Sequence, residues 1–371
     1  MIRFLLVFLS VYSLMHALFY LRVRVLLPDR WPYHFLLAAF LALMIFGPVG
    51  ARLLERADHH VLARISAFAG YSWMGFIFYA FWFFLLLGAA ELIFKLANVV
   101  AGSSLPTVTG RMAVLGVLAA SLAVNIHGYF EAGNLRVERF SIPTAKLPPG
   151  VDRVRIAQIS DIHLGLLTGA ERVEAILAKV KTESPDILVC TGDLVDGDMN
   201  RIDNLPAVFA TMKPRLGKYA VTGNHEIYAG LAEAIQAERS YGFKVLRGEI
   251  TNVGNILNVA GVDDPAAGMA VDEKTLLGAA QNGLFTLLLK HRPEVDRDCL
   301  GLFDLQLSGH THYGQIYPFR YIAQRVYPFQ NGPYFLEKGT VLYTSRGSGT
   351  WGPPIRVLAP PEVTIIDIVR E

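Results

Sequence analysis

Four long apolar stretches fill the first 131 residues and restrict what this part of the chain can fold into. Only 14 of the 66 Asp, Glu, Lys and Arg residues lie in positions 1–131, against 52 in positions 132–371. A helix needs about 20 apolar residues to cross a bilayer, and four stretches come close to or exceed that length: Ile2–Leu21, Tyr33–Ala51, Ser66–Phe94 and Met112–Phe130. We therefore expect a transmembrane region of four helices over residues 1–131, followed by a domain that folds in water.

The flanks of these stretches predict how the chain is anchored. The first stretch has one basic residue near its start and no small-x-small cleavage site after it, which favours an uncleaved anchor over a signal peptide. Four spans put the N-terminus and the C-terminal domain on the same side of the membrane. The loops on that side carry six Arg residues, and those on the opposite side carry five Lys or Arg residues. Because positive loops stay inside, this small excess favours a bacterial inner or plasma membrane with the C-terminal domain in the cytoplasm.

Charge and cysteine content narrow the possible partners. The net charge of +2 divides into +4 for residues 1–131 and −2 for the rest, and no basic patch suited to nucleic acid stands out. We expect no nucleic-acid partner, and no feature predicts an oligomeric state. Cys190 and Cys299 have no CxxC partner, which argues against a disulfide framework or a thiolate metal site. Residues 132–150, with three prolines, predict a short extended linker.

From Val151 onward, short apolar runs alternate with a helical pattern. Apolar residues within Glu171–Val180 recur at the spacing of an amphipathic helix. Five runs are short, apolar and often β-branched, as buried strands are: Val154–Ile159, Ile187–Cys190, Tyr219–Val221, Phe285–Leu289 and Asp304–Leu307. Alternating strands and helices predict a layered α/β domain over residues 151–371.

Each of these strands is followed at once by a string rich in His, Asp or Asn. The strings are Asp161-Ile-His163, Gly192-Asp193-Leu-Val-Asp196, Gly223-Asn224-His225-Glu226, His291 and Gly309-His310-Thr-His312. They contain all five histidines of residues 132–371. Ligand sites in α/β sheets gather at the carboxyl ends of strands, so we expect the five strings to converge on one site.

The side chains in these strings are those that divalent metal ions prefer. Carboxylate, amide oxygen and imidazole together suit Mn, Fe, Zn, Co or Ni. Asp161 and His163 are two residues apart, as are His310 and His312, so in an extended chain each pair points the same way. Two-metal hydrolytic sites hold their ions about 3.5–4 Å apart, and Asp193 is placed to be the shared ligand. One histidine is left over for acid chemistry.

The ordered strings resemble the calcineurin-like metallophosphoesterase superfamily, whose pattern is D-x-H, G-D-x-x-D, G-N-H-[DE], H and G-H-x-H. The apolar front and the tail Arg346–Arg356 are similar to its transmembrane branch. The resemblance implies two sheets flanked by helices. It also implies a phosphoric ester hydrolase with two metal ions, manganese among the candidates.

The same resemblance implies a role for each residue. One metal would be bound by Asp161, His163, Asp193 and His312, and the other by Asp193, Asn224, His291 and His310. His225 would be the acid that protonates the leaving oxygen, and Asp196 and Glu226 would support these groups from outside. His225 and the shared Asp193 would thus be the catalytic residues.

Two positions depart from the relatives. Tyr313 follows His312 where the transmembrane branch usually has a small residue, which predicts a narrower site mouth. His225 stands where soluble UDP-2,3-diacylglucosamine hydrolases carry arginine, so their substrate does not transfer to this chain.

The sequence therefore predicts a membrane-bound, dinuclear metal-dependent phosphoesterase whose leading substrate class is a lipid-linked phosphoester or pyrophosphate. Soluble phosphodiesters or phosphoproteins are an alternative, since a tether does not dictate the substrate. A membrane sensor with a vestigial site is another, although every expected ligand is present. A transporter would need broken helices around a midplane site, and Pro48 with its neighbouring glycines is too little to support one.

Three further features have two interpretations each. The aromatic and basic segment 313–335 either lies against the bilayer and helps to admit a lipid phosphate, or is a long loop that packs its rings on the domain. The string Gly347–Gly352 is either a phosphate loop or a tight turn, and it lacks the GxxxxGK spacing. Glu91 and His127 are either functional intramembrane groups or side chains that reach the interface from a helix end.

Overall fold

The computed structural model describes residues 2–102, 109–197, 204–268 and 271–371, with side chains from Leu6 onward. The chain divides into two compact units. The helical unit comprises residues 1–130 and 352–355, and the α/β unit comprises residues 131–351 and 356–371.

The helical unit contains the predicted apolar helices. Within the described residues, four helices are long and apolar enough to cross a membrane: α1 (Ile2–Val23), α2 (Trp31–Arg56), α3 (His60–Ala101) and α4 (Arg111–Gly133). At about 1.5 Å per residue, the 42 residues of α3 extend well beyond a hydrocarbon core of about 30 Å. This helix continues past both ends of the predicted span Ser66–Phe94.

A buried apolar cluster and one ion pair hold these helices together. Tyr12 and Phe19 of α1 belong to the same buried cluster as Ile77 and Phe84 of α3. Glu91 of α3 lies 2.8 Å from the guanidinium of Arg22 in α1. Glu91 therefore has a partner within the helical unit, which neither interpretation of its role foresaw.

The α/β unit is built from two six-stranded sheets. The strands are β1 (Arg136–Thr144), β2 (Arg153–Ile159), β3 (Ile187–Cys190), β4 (Lys218–Ala220), β5 (Lys244–Val245), β6 (Glu249–Val253), β7 (Leu257–Gly261), β8 (Phe285–Leu289), β9 (Leu305–Ser308), β10 (Gly332–Phe335), β11 (Val341–Thr344) and β12 (Glu362–Arg370). The first sheet has the strand order β1-β12-β2-β3-β4-β5, and the second has the order β10-β11-β9-β8-β7-β6. Each sheet contains four adjacent parallel strands, β2 to β5 in the first and β11-β9-β8-β7 in the second.

Alternating side chains of these strands form two separate cores. Ile156 of β2 packs with Leu287 of β8 and Leu307 of β9 in a core between the sheets. The next residue of β2, Ala157, faces a second core that includes residues of two helices, α5 (Ala170–Thr182) and α7 (Asn224–Ser240). This division follows from the two-residue period of a strand. The helices of the unit are α5 (Ala170–Thr182), α6 (Leu205–Ala210), α7 (Asn224–Ser240), α8 (Glu273–Gly278) and α9 (Arg320–Val326).

The predicted fold class, four apolar helices followed by a layered α/β domain with two sheets flanked by helices, is confirmed. Strands Ile187–Cys190 and Phe285–Leu289 have the predicted bounds, and the other three predicted strands differ by one residue at one or both ends. The bounds of these five strands could be predicted closely because each strand is a short, well-defined apolar run in the sequence.

The prediction of a linker over residues 132–150 is wrong for most of its middle part. Residues 136–144 form β1, which pairs in parallel with β12 at the edge of the first sheet. Ile142 joins the core between the sheets, while Pro143 is exposed, as a strand proline at a sheet edge should be. The prolines indicated a linker, and the strand was missed because its partner β12 lies more than 200 residues later in the chain.

Candidate metal centre

The five strings occupy the loops at the carboxyl ends of five parallel strands. In the first sheet, Asp161 and His163 follow β2, Asp193 follows β3, and Asn224 follows β4. In the second sheet, His291 follows β8 and the string 310–312 follows β9. The predicted convergence is therefore present, and it takes place where the two sheets meet.

One group of converging side chains consists of Asp161, His163 and His312. Their potential ligand atoms all lie within 4.8 Å of one another, and all three residues are buried. The Nε2 atoms of His163 and His312 are 3.0 Å apart, and Nε2 of His312 lies 3.6 Å from Oδ1 of Asp161. These atoms can surround one ion.

A second group consists of Asp193, His291 and His310. Nε2 of His291 lies 3.2 Å from Oδ2 of Asp193 and 3.1 Å from Nδ1 of His310. Asn224 is buried, and among the described residues its Oδ1 atom has no hydrogen-bond partner. A buried amide oxygen without a partner fits a metal ligand, because such an atom otherwise loses its hydration without compensation.

Asp193 lies between the two groups. Its Oδ2 atom is 3.9 Å from Nε2 of His163 in the first group and 3.2 Å from Nε2 of His291 in the second. Its Oδ1 atom accepts a hydrogen bond of 2.8 Å from the backbone N–H of His225. The carboxylate is thus held in a position where it can serve both groups.

His225 stands beside the first group and is held by a carboxylate. Its Nδ1 atom is 2.5 Å from Oδ1 of Asp196, and its ring centroid is 4.6 Å from that of His163. Tyr228 and Trp351 flank the His225 ring at 5.5 and 5.6 Å. His163, Asp193 and His225 also meet the distance limit for an ion site, but the bond to Asp196 leaves only Nε2 of His225 available for chemistry.

Glu226 shapes the loops rather than reaching the centre. Its carboxylate accepts hydrogen bonds from the backbone N–H groups of Asp193 at 2.9 Å, Val195 at 3.0 Å and Gly223 at 2.7 Å. Burial, and then the charge of Asp193, raises the pKa of Glu226 to about 7. One buried carboxyl therefore ties together the loops that follow β3 and β4.

Three of the imidazoles are kept neutral by their surroundings. Burial, and then the charge of His225, lowers the pKa of His163 to about 4. Burial, and then the charge of His291, lowers the pKa of His310 to about 3. Burial and the Arg356 guanidinium hold the pKa of His312 well below its usual value. Neutral imidazole is the form that binds a metal.

The Asp193 carboxylate and the His291 imidazole favour each other's charged form, since they lie 3.2 Å apart. Burial alone would raise the pKa of Asp193, but the charge of His291 holds it well below its usual value. Burial likewise opposes the charged form of His291, yet the charges of Asp193 and Asp161 raise its pKa to about 10.

The backbone of the ligand loops is not extended, which corrects a sequence-based expectation. Asp161, His163, Asp193, His310 and His312 all have φ between 48° and 71°, in the left-handed region. Such conformations cost on the order of 1–3 kcal/mol each for non-glycine residues and concentrate at functional sites. His310 and His312 consequently point into different groups, whereas alternation along an extended strand had predicted the same direction.

Two glycines permit the loops to approach each other this closely. A Cβ atom at Gly223 would lie 2.2 Å from Oδ1 of Asp193, and one at Gly309 would lie 2.2 Å from Oδ2 of Asp161. Any other residue at either position would displace a predicted ligand.

Arg356 is a site residue that the sequence did not reveal. It is fully buried, and its guanidinium donates to the carbonyl oxygens of His312 at 3.1 Å, Arg346 at 2.8 Å and Ala359 at 3.2 Å. Its Nη2 atom lies 3.0 Å from Nδ1 of His312. The arginine of the tail string was a visible signal, but its partner is 44 residues earlier in the chain.

The string Gly347–Gly352 does not form a free phosphate loop. The N–H of Ser348 donates to the carbonyl of Ser160 at 2.7 Å, and the N–H of Gly349 donates to that of Asp161 at 3.0 Å. These N–H groups are therefore already used to hold the loop that carries the predicted ligand Asp161.

Comparison with known proteins agrees with this geometry. Residues 154–314 match the family described as calcineurin-like phosphoesterase. An uncharacterised metallophosphoesterase of Aquifex aeolicus (strain VF5) is 41% identical over 254 residues, which is 67% of this chain and 97% of that protein. A transmembrane protein with metallophosphoesterase domain from Danio rerio is 32% identical over 351 residues, which is 88% of this chain and 78% of that protein. The second similarity is too long to be confined to the α/β unit, so it extends into the apolar helices.

Proposed function

Because the chain belongs to the calcineurin-like metallophosphoesterase family, we propose that it uses two divalent ions to hydrolyse a phosphoester or pyrophosphate bond of a lipid-linked substrate. Family membership makes it a metal-dependent phosphoesterase, and the four apolar helices make it a membrane protein. The proposal concerns the number of ions and the substrate. The single observation that carries it is the position of Asp193 between two groups of ligand atoms.

The donor sets fit two ions. One ion would be held by Asp161, His163, Asp193 and His312, and the other by Asp193, Asn224, His291 and His310. Oxygen and imidazole donors together suit Mn, Fe, Zn, Co or Ni, and Mn²⁺ is the ion that we would test first. When bound, such a pair activates water and stabilises the charge that develops on phosphorus.

His225 is assigned the proton transfer to the leaving oxygen. Asp196 holds Nδ1 of its ring, which fixes the ring orientation and leaves Nε2 as the atom that can give a proton. Positioned acid catalysts of this kind contribute about 10²–10⁴-fold. Trp351 and Tyr228 pack beside the ring and limit its contact with water.

The membrane tether supports a lipid-linked substrate. Only two residues separate the end of α4 at Gly133 from the start of β1 at Arg136, so the apolar helices would keep the α/β unit close to the bilayer in which such substrates reside. The slight excess of positive residues supports a cytoplasmic position for this unit.

The test uses the full-length protein in nanodiscs with Mn²⁺, an aryl phosphodiester and a lipid pyrophosphate. We expect two bound ions per chain by elemental analysis and a higher kcat/KM for the lipid substrate. Asp193→Asn should lower kcat by at least about 10²-fold, because it weakens the ligand that both ions would share and even residues outside the ligand shell cost about 10–100-fold. His225→Ala should lower it by about 10²–10⁴-fold without loss of metal.

Asp298→Asn is the matched control, since Asp298 is exposed and lies outside the centre. Unchanged hydrolysis in Asp193→Asn and His225→Ala would exclude this mechanism. One ion per chain at full activity would contradict the dinuclear assignment. A preference for the soluble diester would contradict the lipid-linked substrate alone.

A further inference from the structure

Exposed apolar side chains of the α/β unit are concentrated in one segment. Among its described residues, eight large hydrophobic side chains are exposed, and five of them lie between positions 319 and 335: Phe319, Tyr321, Ile322, Val326 and Phe335. Two of the remaining three, Tyr228 and Trp351, flank His225. A soluble unit that buries its other apolar residues has an interaction surface where such a cluster occurs.

The segment 313–335 also packs against the metal centre. The ring centroid of Tyr327 is 4.8 Å from that of His310. Thr311, which lies between His310 and His312, donates its hydroxyl to the carbonyl of Gln330 at 2.9 Å. Tyr327 thus packs on the domain, as one of the two interpretations of this segment expected, whereas Phe319, Tyr321 and Phe335 are exposed.

The exposed residues form a helical face. Phe319, the residue before α9, and Ile322 and Val326 within it are 44%, 54% and 68% exposed, and their spacing of three and four residues places them on one side. We call these three residues the α9 face. No other described element covers this apolar face. It is therefore suited to bind an external partner.

The surroundings of the α9 face are positively charged. Residues 313–336 contain Arg320 and Arg325 and no Asp or Glu. The guanidinium of Arg320 lies 4.9–5.3 Å from the ring centroids of Tyr313, Tyr317 and Tyr321. Arg325 is exposed, and among the described residues neither arginine forms an ion pair with a carboxylate.

A polar groove lies beside this face. It has a volume of about 240 Å³ and is lined by Tyr313, Arg320, Tyr334 and the amide side chains of Gln324, Gln330 and Asn331. Tyr313 directly follows His312 in the chain. A cation with neighbouring amide donors is suited to an anionic headgroup next to the centre.

We propose that the α9 face inserts into the headgroup region of an anionic bilayer, with Arg320 and Arg325 at the lipid phosphates. Tyrosine rings and arginines are the residues that favour this interface. A bilayer is favoured over a second copy of the chain, because two such faces would bring like-charged arginines together. The admission of a lipid headgroup through the groove rests on the proposed function, whereas the docking itself does not.

Docking is measured with the full-length protein in nanodiscs. An environment-sensitive fluorophore is attached at Ile322→Cys or Val326→Cys, and lipids with spin-labelled acyl chains are the quencher. Lys181→Cys and Asp298→Cys, at exposed positions outside the segment, are the controls. The native Cys190 and Cys299 are buried, so they compete little for the label.

We expect several-fold stronger quenching at positions 322 and 326 than at the controls, and an increase when phosphatidylglycerol is added to phosphatidylcholine. Arg325→Gln should lower the docked-to-free ratio in the anionic discs by about five-fold, because each surface cation contributes about that much. Quenching at 322 and 326 equal to that at the controls would overturn the proposal. If neither the anionic lipid nor Arg325→Gln changed the quenching at positions 322 and 326, the proposed contact of the arginines with lipid phosphates would be wrong.

A second measurement separates docking from the proposed function. Replacing the α9 face by serine (Phe319→Ser, Ile322→Ser, Val326→Ser) should lower kcat/KM for the lipid pyrophosphate about ten-fold or more and leave that for the soluble diester unchanged. An equal loss on both substrates would contradict a role in lipid access. If the wild type hydrolysed neither substrate, the proposed function would fail, and the quenching result would still decide the docking.

Discussion

The two sheets of the α/β unit bring different ligand types to the same centre. Loops of the first sheet supply both predicted carboxylate ligands and the amide of Asn224, with one imidazole. Loops of the second sheet supply only imidazoles, those of His291, His310 and His312. His312 joins Asp161 and His163, while Asp193 joins the other two histidines. Each of the two proposed ligand groups draws side chains from both sheets, so both groups depend on the packing of the sheets.

Polar contacts as well as the apolar core join the two sheets. The side-chain amide of Gln158 in β2 donates to the carbonyl of Ser308 in β9 at 2.9 Å. The hydroxyl of Thr222, after β4, donates to Asp263, after β7, at 2.8 Å. Both contacts lie next to ligand loops. The packing that stabilises the fold therefore also sets the distance between the oxygen-rich and the imidazole-rich half of the centre.

Removing one imidazole from each half is the strongest way to test this division. We expect His163→Ala and His310→Ala each to lower kcat/KM by at least about 10²-fold, since even residues outside the ligand shell cost about 10–100-fold. Each single variant should retain one ion, and the double variant should lose both. The loss of kcat/KM in the double variant should be smaller than the product of the two single losses. Elemental analysis and steady-state kinetics of the full-length protein measure these quantities.

The control for this pair is again Asp298→Asn, which should keep two ions and full activity. If His310→Ala kept both ions, the second sheet would contribute no ligand through this residue. The assignment of His310 to the second group would then be wrong.

Much of the centre could be predicted because its information is local. Every motif follows a short apolar run at once, so strands such as Ile187–Cys190 were recognisable, and the convergence followed from sheet geometry. Backbone conformation was not predictable in this way. The left-handed φ of Asp161 and His163 depends on the loop after β3, since the N–H groups of these two residues donate to the carbonyls of Gly192 and Asp193.

Long-range partners explain the remaining failures. Strand β12 inserts between β1 and β2, and its residue Asp367 pairs with Arg155, 212 positions earlier, at 2.8 Å. No periodicity within a short window shows such a pairing. The role of Arg356 was not predicted for the same reason. It depends on carbonyl groups that only the folded tail brings together.

Substitution of Arg356 should have an intermediate effect. Arg356→Met removes the donors that hold the His312 carbonyl and the cation beside the His312 ring, so we expect the apparent Kd for Mn²⁺ to rise by about 10–100-fold. Arg356→Lys keeps the charge but not the fork of donors, and it should recover only part of the affinity. Metal titration and the melting temperature are measured together, with exposed Arg297→Met as the control. A lower melting temperature with unchanged Kd would show that Arg356 acts on the fold alone.

Buried carboxyl groups outside the centre differ in whether a cation pairs with them. Asp263 and Asp264, after β7 of the second sheet, pair with Arg247 at 2.8 Å and Arg292 at 2.7 Å. Glu238 of α7, on the outer side of the first sheet, is fully buried, and among the described residues neither of its carboxyl oxygens has a hydrogen-bond partner. Burial, and then the charges of Glu226 and Asp263, raises the pKa of Glu238 well above its usual value.

The last expected effect concerns the stability of the fold rather than the metal centre, and it follows from this unpaired carboxyl. A raised pKa means that the neutral folded form is fully stable below the usual glutamate pKa and loses stability as the pH rises toward the folded value, on the order of 1 kcal/mol per pH unit. Glu238→Gln removes this dependence, so the melting temperature of the variant should exceed that of the wild type by a margin that grows from pH 5 to pH 8. Glu174→Gln, at an exposed position of α5, should show no such trend. A constant difference between Glu238→Gln and wild type across this range would mean that Glu238 is as well compensated as the paired carboxylates of the second sheet.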